Sequence, residues 1–236
     1  MSVDILAIAA HRDDVEQTCG GTLLKMASLG HSTGILDLTK GELGTRGTAE
    51  DRAREAEAAA KILKVSWRQA LDIPDGRVEN TWENRLKVAC VIREQKPRVV
   101  ILPYWKGRHP DHYTCSTLSY EACFLAGLTK LNLEGKPHRP FKIIYATLYY
   151  DIRPTFVVDI TEHFEGRMQS VLAYKSQFTD QDAGRADFPP QPEIRERVAA
   201  MASYYGMLVG VRYAEPFLQK EVGLVEDLIT IPVKSI

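Results

Sequence analysis

Residues 3–14 read VDILAIAAHRDD, an apolar run that ends in a cluster of polar side chains. A short and nearly continuous apolar run is typical of a strand that is covered on both faces of its sheet. We therefore expect residues 3–9 to form the first strand of an α/β domain. The polar cluster, His11 to Asp14, then follows at the carboxyl end of that strand.

Strand and helix patterns alternate along the rest of the chain. We expect further strands at residues 32–38, 68–72, 99–102, 142–150, 155–158 and 228–231. We expect helices at residues 15–29, 48–64, 80–95, 111–126, 162–178 and 192–209. This alternation predicts a doubly wound, mostly parallel, Rossmann-like sheet with helices on both faces.

Local residue types predict several helix boundaries. Gly30 is a plausible residue just after the end of the first helix, because glycine readily adopts a positive φ angle. Thr48 and Asp51 form a weak capping-box pattern at the start of the second helix. Asn80 is expected to cap the third helix, and Pro110 to occupy the first position of the fourth.

The length and composition favour one globular domain over residues 1–236. Hydrophobic residues make up 44% and charged residues 26% of the chain, which is ordinary for a protein with a substantial core. Residues 179–191 are rich in Asp, Gly and Pro, and we expect them to form an exposed loop. Too few residues follow this loop to build a second domain.

The charge balance and the cysteines limit the possible partners. Thirty basic residues face 31 acidic ones, so there is no electrostatic reason to expect a nucleic acid or an anionic membrane as partner. No segment is apolar over the length needed to span a bilayer. The four cysteines form no C-x-x-C pair, which predicts reduced, buried thiols. We expect a cytoplasmic protein.

A second cluster of metal-ligand residue types, Arg108-His109-Pro110-Asp111-His112, follows the strand expected at residues 99–102. The carboxyl ends of parallel strands lie at one edge of a sheet, so the two clusters should meet there. Two imidazoles and one carboxylate leave room for water on a catalytic zinc ion. His11, Asp14 and His112 are the candidate ligands.

The neighbouring residues suggest acid–base roles. Asp13 would stand beside the ion without binding it and could take a proton from the bound water. His109 lies one helical turn before His112, where it could stabilise an oxyanion or protonate a leaving amine. Asp111 could hold the free ring nitrogen of a histidine, or it could be a plain acid at a helix N-terminus.

These two motifs resemble those of a known enzyme family. Residues 10–14 and 109–112 are similar to the A-H-x-D-D and H-P-D-H motifs of the LmbE-like, PIG-L-type zinc N-deacetylases. The resemblance also includes residues 39–42, 47–52, 73–75, 137–139 and 209–215. Residues 108–112 and 209–215 look most like the bacillithiol-pathway branch, whose enzymes deacetylate N-acetylglucosamine linked to malate.

The resemblance implies a role for each motif residue. Zinc would be held by His11, Asp14 and His112. Asp13 would be the general base, and His109 the acid or the oxyanion stabiliser. The implied partner is a small amino-sugar substrate, and the implied assembly is a homo-oligomer, often a hexamer in this branch.

Four further residues are expected to contact the substrate. The resemblance implies sugar contacts from Arg52 and Asp75 and a role near the acetyl group for Arg139. Arg108, next to the catalytic His109, could meet an acidic group on the substrate. Two of these residues also have purely structural interpretations: Arg52 could pair with an acidic neighbour on its own helix, and Asp75 stands at a typical turn position.

One departure from the family pattern and two alternative functions remain. Arg12 stands where most members have proline, and this cation could alter access or help hold an anionic substrate. A non-haem iron oxygenase also uses two histidines and a carboxylate, but such sites normally lie on all-β folds. A sugar-binding protein with a structural metal is the other alternative, although structural sites prefer four protein ligands.

Overall fold

A seven-stranded sheet forms the centre of the computed structural model, which describes residues 2–148, 150–178 and 191–233. The strands are β1 (Ile5–Ala9), β2 (Thr33–Asp37), β3 (Trp67–Ala70), β4 (Val99–Pro103), β5 (Lys142–Ala146), β6 (Phe156–Asp159) and β7 (Ala214–Leu218). The helices are α1 (Asp14–Ser28), α2 (Ala49–Ile62), α3 (Trp82–Gln95), α4 (Pro110–Ala126), α5 (Phe164–Leu172), α6 (Lys175–Phe178) and α7 (Gln191–Met207).

The order of the strands confirms the predicted sheet type. Across the sheet the strands run β3-β2-β1-β4-β5-β7-β6, and the first five are parallel to one another. Strand β7 is antiparallel to both of its neighbours, β5 and β6. After β1 the chain adds β2 and then β3 on one side of β1. It then crosses over and adds β4 on the other side of β1. Ligands of open α/β sheets bind at such a switch point, beyond the carboxyl ends of the strands.

Both faces of the central strand are covered, as its apolar sequence predicts. Leu6 and Ile8 belong to a core cluster that includes residues of α3 and α4. Ile5, Ala7 and Ala9 point the other way, into a cluster that includes residues of α1. Successive side chains of a strand point to opposite faces, so a strand packed on both sides must be apolar throughout.

The helix boundaries confirm most of the predicted caps. Asp51 N donates to Thr48 Oγ1 at 3.1 Å and Thr48 N donates to Asp51 Oδ2 at 2.9 Å, which is a complete capping box. Gly30 has a φ of +89°, as expected just after α1. Pro110 is the first residue of α4, and the side chain of His109 caps that helix.

Two predictions about the helices are wrong: the cap of α3, and the single helix expected at residues 162–178. The cap of α3 is Thr81, whose hydroxyl accepts from Asn84 N at 3.2 Å, and not Asn80. The Asn80 side chain turns instead towards α4 and donates to Glu121 at 3.1 Å. The helix expected at residues 162–178 is divided into α5 and α6. Between them Tyr174 turns into the interior.

The last strand lies earlier in the chain than predicted. Residues 228–231 contain a short 3₁₀ turn, Leu228–Thr230, with exposed side chains, and not a strand. Strand β7 has the sequence AEPFL and was missed, because a proline and a glutamate argue against a buried strand. The loop expected at residues 179–191 lies outside the described residues, except for Gln191, where α7 begins. In the ranges that are described, no helix combines the length and apolar character needed to cross a bilayer.

The glutamate of β7 is fully buried because it has specific partners. The Glu215 carboxylate accepts hydrogen bonds from Gly21 N at 2.9 Å and Thr22 N at 2.7 Å, and it lies 3.1 Å from Arg167 Nε. Helix α1 is irregular at Cys19, whose φ is −142°. The carboxylate therefore caps the second half of α1, where free backbone N–H groups favour a negative charge.

We expect the Glu215→Ala variant to be strongly destabilised, because it leaves Arg167 and two backbone donors buried without their partner. The free energy of unfolding should fall by about 3–5 kcal/mol, measured by urea denaturation. Glu57→Ala is the control: Glu57 also forms an ion pair, with Lys61, but both side chains are exposed. The control should change stability by no more than about 0.5 kcal/mol. Equal effects in the two variants would contradict this role of Glu215.

Candidate functional site

The carboxyl ends of β1 and β4 border an open cleft of about 430 Å³. The residues that line it include the polar side chains His11, Asp13, Asp14, Gln17, Thr45, Arg52, Asp75, Arg108, His109, His112 and Gln177. β1 and β4 are neighbouring parallel strands, so the two sequence clusters that follow them meet at this edge. The structure thus brings together eight of the nine site residues predicted from the sequence.

The side chains of His11, Asp14 and His112 bring their metal-ligand atoms close together. His11 Nδ1 lies 3.2 Å from His112 Nε2 and 3.4 Å from Asp14 Oδ2, and His112 Nε2 lies 3.2 Å from Asp14 Oδ1. Bonds of about 2.0–2.1 Å to a tetrahedral zinc ion would place ligand atoms about 3.3–3.4 Å apart. The three side chains therefore fit a zinc ion, and their donor types are those of a catalytic site.

The other ring nitrogen of His11 is surrounded by carboxylates. His11 Nε2 lies 3.1 Å from Asp75 Oδ1 and 3.3 Å from Asp111 Oδ2. Burial disfavours the charged ring, but hydrogen bonds with Asp111, Asp14 and Asp75 outweigh burial and raise the pKa of His11 to about 12. These three carboxylates, within 3.4 Å of the ring, favour a positive charge at this position. A divalent cation would supply such a charge.

Asp111 orients His11. It is therefore a partner of a histidine and not only an acid at the N-terminus of a helix. Its carboxylate accepts hydrogen bonds from Gly76 N at 2.8 Å and Val78 N at 3.2 Å, and it also faces His11. The carboxylate is therefore fixed by the loop after β3 as well as by α4. A carboxylate on the far nitrogen of a ligating histidine sets the tautomer and the orientation of the ring.

Asp75 has a similar arrangement. Its Oδ2 accepts from Leu43 N at 2.9 Å, while its own N–H donates to Glu42 Oε1 at 2.9 Å. Glu42 was not among the predicted site residues. Its signals in the sequence were its position in a glycine-rich loop after β2 and the resemblance of residues 39–42 to the family. The loops after β2 and β3 thus hold each other beside His11.

Arg52 binds Asp13 and not an acidic neighbour on its own helix. Arg52 Nη2 donates to Asp13 Oδ1 at 2.8 Å, and both side chains are largely buried. Burial raises the pKa of Asp13, the Arg52 guanidinium opposes this shift, and the adjacent Asp14 carboxylate adds to it. Asp13 is therefore a more basic carboxylate than usual, held in position at the edge of the cleft.

His109 is arranged as a hydrogen-bond donor. Its Nδ1 accepts from Asp111 N at 3.2 Å, so in the neutral ring Nε2 has the hydrogen. The ring stacks on His112, with 4.8 Å between centroids. Burial, together with His11 and His112, lowers the pKa of His109. A lowered pKa favours the neutral ring, whose Nε2–H can donate a hydrogen bond to an oxyanion.

The three remaining arginines lie in different places, and only Arg108 is at the cleft. Arg108 lines the cleft, as predicted. Arg139 does not: it lies just before β5, at the opposite edge of the sheet, and its guanidinium stacks on Phe124 at 5.0 Å. Arg12 points away from the ligand cluster and donates to Ala49 O at 2.8 Å. The structure therefore does not support a role for Arg139 near the acetyl group. It also does not support an effect of Arg12 on the substrate.

Several cleft residues were missed from the sequence. Gln17 lies one turn after Asp13 and Asp14 on α1, so helical spacing could have indicated it. The others are Leu43, Thr45, Leu148, Gln177 and Phe178. They come from loops and from α6, and nothing in their local sequence shows which way they point.

The sequence shows the family of the chain. Residues 6–123 match the PIG-L family, described as GlcNAc-PI de-N-acetylases. The chain is also similar to the diacetylchitobiose deacetylase of Thermococcus kodakarensis, with 33% identity over 226 residues that cover 89% of this chain and 80% of that protein. The chain therefore belongs to the PIG-L family, and its homologues include deacetylases of N-acetyl amides.

Solved structures agree with this assignment. The conserved protein TT1542 from Thermus thermophilus superposes with a TM-score of 0.86 at 42% identity, covering 95% of this chain and 98% of that one. The N,N'-diacetylchitobiose deacetylase from Pyrococcus horikoshii gives a TM-score of 0.80 at 26% identity, covering 90% of this chain and 82% of that one.

We expect one zinc ion per chain, measured by elemental analysis and by calorimetric titration of the metal-free protein. His112→Ala should abolish stoichiometric binding, because it removes a ligand. Asp75→Ala should weaken binding by about 10–100-fold, because it removes only a partner of His11. His31→Ala, at an exposed position, is the control and should bind like the wild type. Stoichiometric zinc in His112→Ala would refute the ligand assignment.

Proposed function

We propose that this protein is a zinc-dependent N-deacetylase that removes the acetyl group from an N-acetylglucosamine conjugate. The observation that supports this most is the His11, Asp14 and His112 set at zinc-ligand spacing, with Asp13 and His109 beside it. A zinc ion on these ligands would lower the pKa of a bound water to about 7 and polarise an amide carbonyl. Two relatives named as diacetylchitobiose deacetylases support the amino-sugar substrate.

In this proposal Asp13 is the general base. As water adds to the carbonyl carbon, the Asp13 carboxylate accepts one of its protons. Its raised pKa makes it a better proton acceptor, and its ion pair with Arg52 fixes its orientation. Gln17 Nε2 lies 3.4 Å from Asp13 Oδ2 on the other side of the carboxylate.

His109 stabilises the oxyanion in this proposal. The backbone N–H of Asp111 holds His109 Nδ1, so the neutral ring offers Nε2–H to the carbonyl oxygen as water adds. Asp13 then passes the proton that it took from water to the nitrogen as the carbon–nitrogen bond breaks, so that the amine leaves in a neutral form. The products are acetate and the free amino sugar.

The cleft beyond the ligand cluster would hold the sugar and its attached group. Arg52 and Asp75 both line the cleft, which supports the proposal that they contact sugar hydroxyls, although each also has a partner within the protein. Arg108 lines the cleft with an exposed side chain. A cation there suits an acidic group on the substrate, such as the malate of the branch that the sequence resembles.

We also propose that the protein is a homo-oligomer in the cytoplasm. Val222, Leu224 and Ile229 lie within eight residues of one another in the sequence, and each is at least 91% exposed. Contact with a second copy of the chain would remove such apolar side chains from water. The four cysteines are free, as is usual in a reducing compartment.

The two alternative functions have less support. An iron oxygenase triad normally lies on an all-β fold, whereas this sheet is mostly parallel and covered by helices. A structural metal site would have four protein ligands, whereas the group here consists of three side chains at the edge of an open cleft.

The proposed reaction predicts release of a primary amine from N-acetyl sugars. We expect GlcNAc-malate to react faster than N,N'-diacetylchitobiose and free GlcNAc, because only the malate conjugate offers an anion to Arg108. The measurement is kcat/KM for each substrate with the zinc-loaded protein. Failure to release an amine from any member of the panel would contradict the proposed function. A preference for chitobiose would contradict only the proposed substrate.

Two adjacent aspartates test the proposed roles against each other. Asp13→Asn should keep its zinc and lose about 10²–10⁴-fold in kcat, because an amide cannot accept the proton. The acidic limb of its pH profile should also disappear. Asp14→Asn should bind zinc more weakly, since a neutral amide oxygen is a poorer ligand. Zinc content and kcat are measured for both variants. The opposite pattern would mean that the two roles are reversed.

A further inference from the structure

A small apolar cavity adjoins the ligand cluster and has no role in the mechanism above. Asp14, His112 and Leu148 line both this cavity and the cleft. Its other walls come from the carboxyl ends of β1, β4 and β5, from the first turns of α1, and from the loop after β4. The cavity is therefore reached from the same atoms that would hold the reacting amide.

Much of the cavity wall consists of buried aliphatic side chains. Ala7, Ala9, Val15, Ile101 and Ala146 all line it, and each is at most 3% exposed. The three alanines lie in strands, where larger residues would fill the space. Because strands and α1 form these parts of the wall, they are fixed by the core.

The cavity is very small. Its volume is about 30 Å³, and about 10–15 Å³ of such volume holds one water-sized group. A methyl group is of similar size, so the cavity has room for one or two carbon atoms. A longer acyl chain would have to displace packed side chains, and tightly packed cores resist added methylenes.

We propose that this cavity receives the methyl group of the acetyl substituent and restricts the enzyme to short acyl groups, with Ile101 and Ala146 as specificity-determining residues. This inference rests on the proposed function. A carbonyl carbon that reacts beside Asp14 and His112 has its methyl group one bond away, next to the shared wall. The buried aliphatic side chains of the lining favour that methyl group.

Two core variants change the cavity in opposite directions. Ala146→Val fills it and should lower kcat/KM for N-acetylglucosamine at least tenfold relative to N-formylglucosamine, which lacks the methyl group. Ile101→Val enlarges it by one methylene and should raise the ratio of N-propionyl to N-acetyl hydrolysis about tenfold or more. Ile35→Val is the matched control: Ile35 is buried in the same core on β2 but does not line the cavity.

A second measurement is independent of turnover. Acetate, propionate and butyrate are titrated into each variant by calorimetry, since the product acid should place its alkyl group in the same cavity. Acetate should bind best to the wild type, and propionate should gain affinity in Ile101→Val alone. Thermal unfolding confirms that each variant is folded.

The outcomes separate the two proposals. Acyl preferences and carboxylate affinities that are the same in all four proteins would overturn the role of the cavity, even if deacetylation itself is observed. If Ala146→Val does not fold, Ile101→Val and its control decide the question alone. A wild type that hydrolyses none of the N-acyl sugars would contradict the proposed function, and the carboxylate series would still test the cavity.

Discussion

Three carboxylates converge on the imidazole of His11, and the site is built around the charge that they concentrate. Asp75, Asp111 and Asp14 lie 3.1, 3.3 and 3.4 Å from its ring nitrogens. Carboxylates removed from water are stable only when cations or hydrogen-bond donors compensate them. Backbone N–H groups satisfy part of this requirement. A divalent ion between His11, Asp14 and His112 would satisfy the rest, which explains why so much acidity is tolerated in one place.

The sheet provides the rigidity that this arrangement needs. The segments that follow β1, β2, β3 and β4 all begin at one edge of the sheet. Each contributes a group to the network: His11, Glu42, Asp75 and Asp111 (at the start of α4) in turn. Parallel strands fix these segments relative to one another, and the reversal of strand order between β1 and β4 leaves the space for the cleft. Catalytic groups on such a frame stay in position without substrate, which reduces the cost of organising them during the reaction.

The sequence predicted most of the site because the relevant residues directly follow apolar strands, so a local pattern was enough to place them. Prediction failed where a residue depends on distant partners. Strand β7 was missed because Glu215 is buried against Arg167 and α1, which no local pattern shows. Arg139 was assigned to the cleft from a short motif, but its position before β5 puts it at the other edge of the sheet. The side chain of Arg12 likewise turns to α2, although its neighbours in the sequence face the cleft.

The central claim is that a metal held by His11, Asp14 and His112 makes this protein an amide hydrolase. Its most direct test is a titration of zinc into the metal-free protein while acetate release from an N-acetylglucosamine conjugate is followed. Chelation should abolish hydrolysis, and on addition of zinc the rate should rise linearly and reach its plateau at one ion per chain. Full acetate release by the metal-free protein, or a rate that stays at zero with one zinc bound, would contradict this claim.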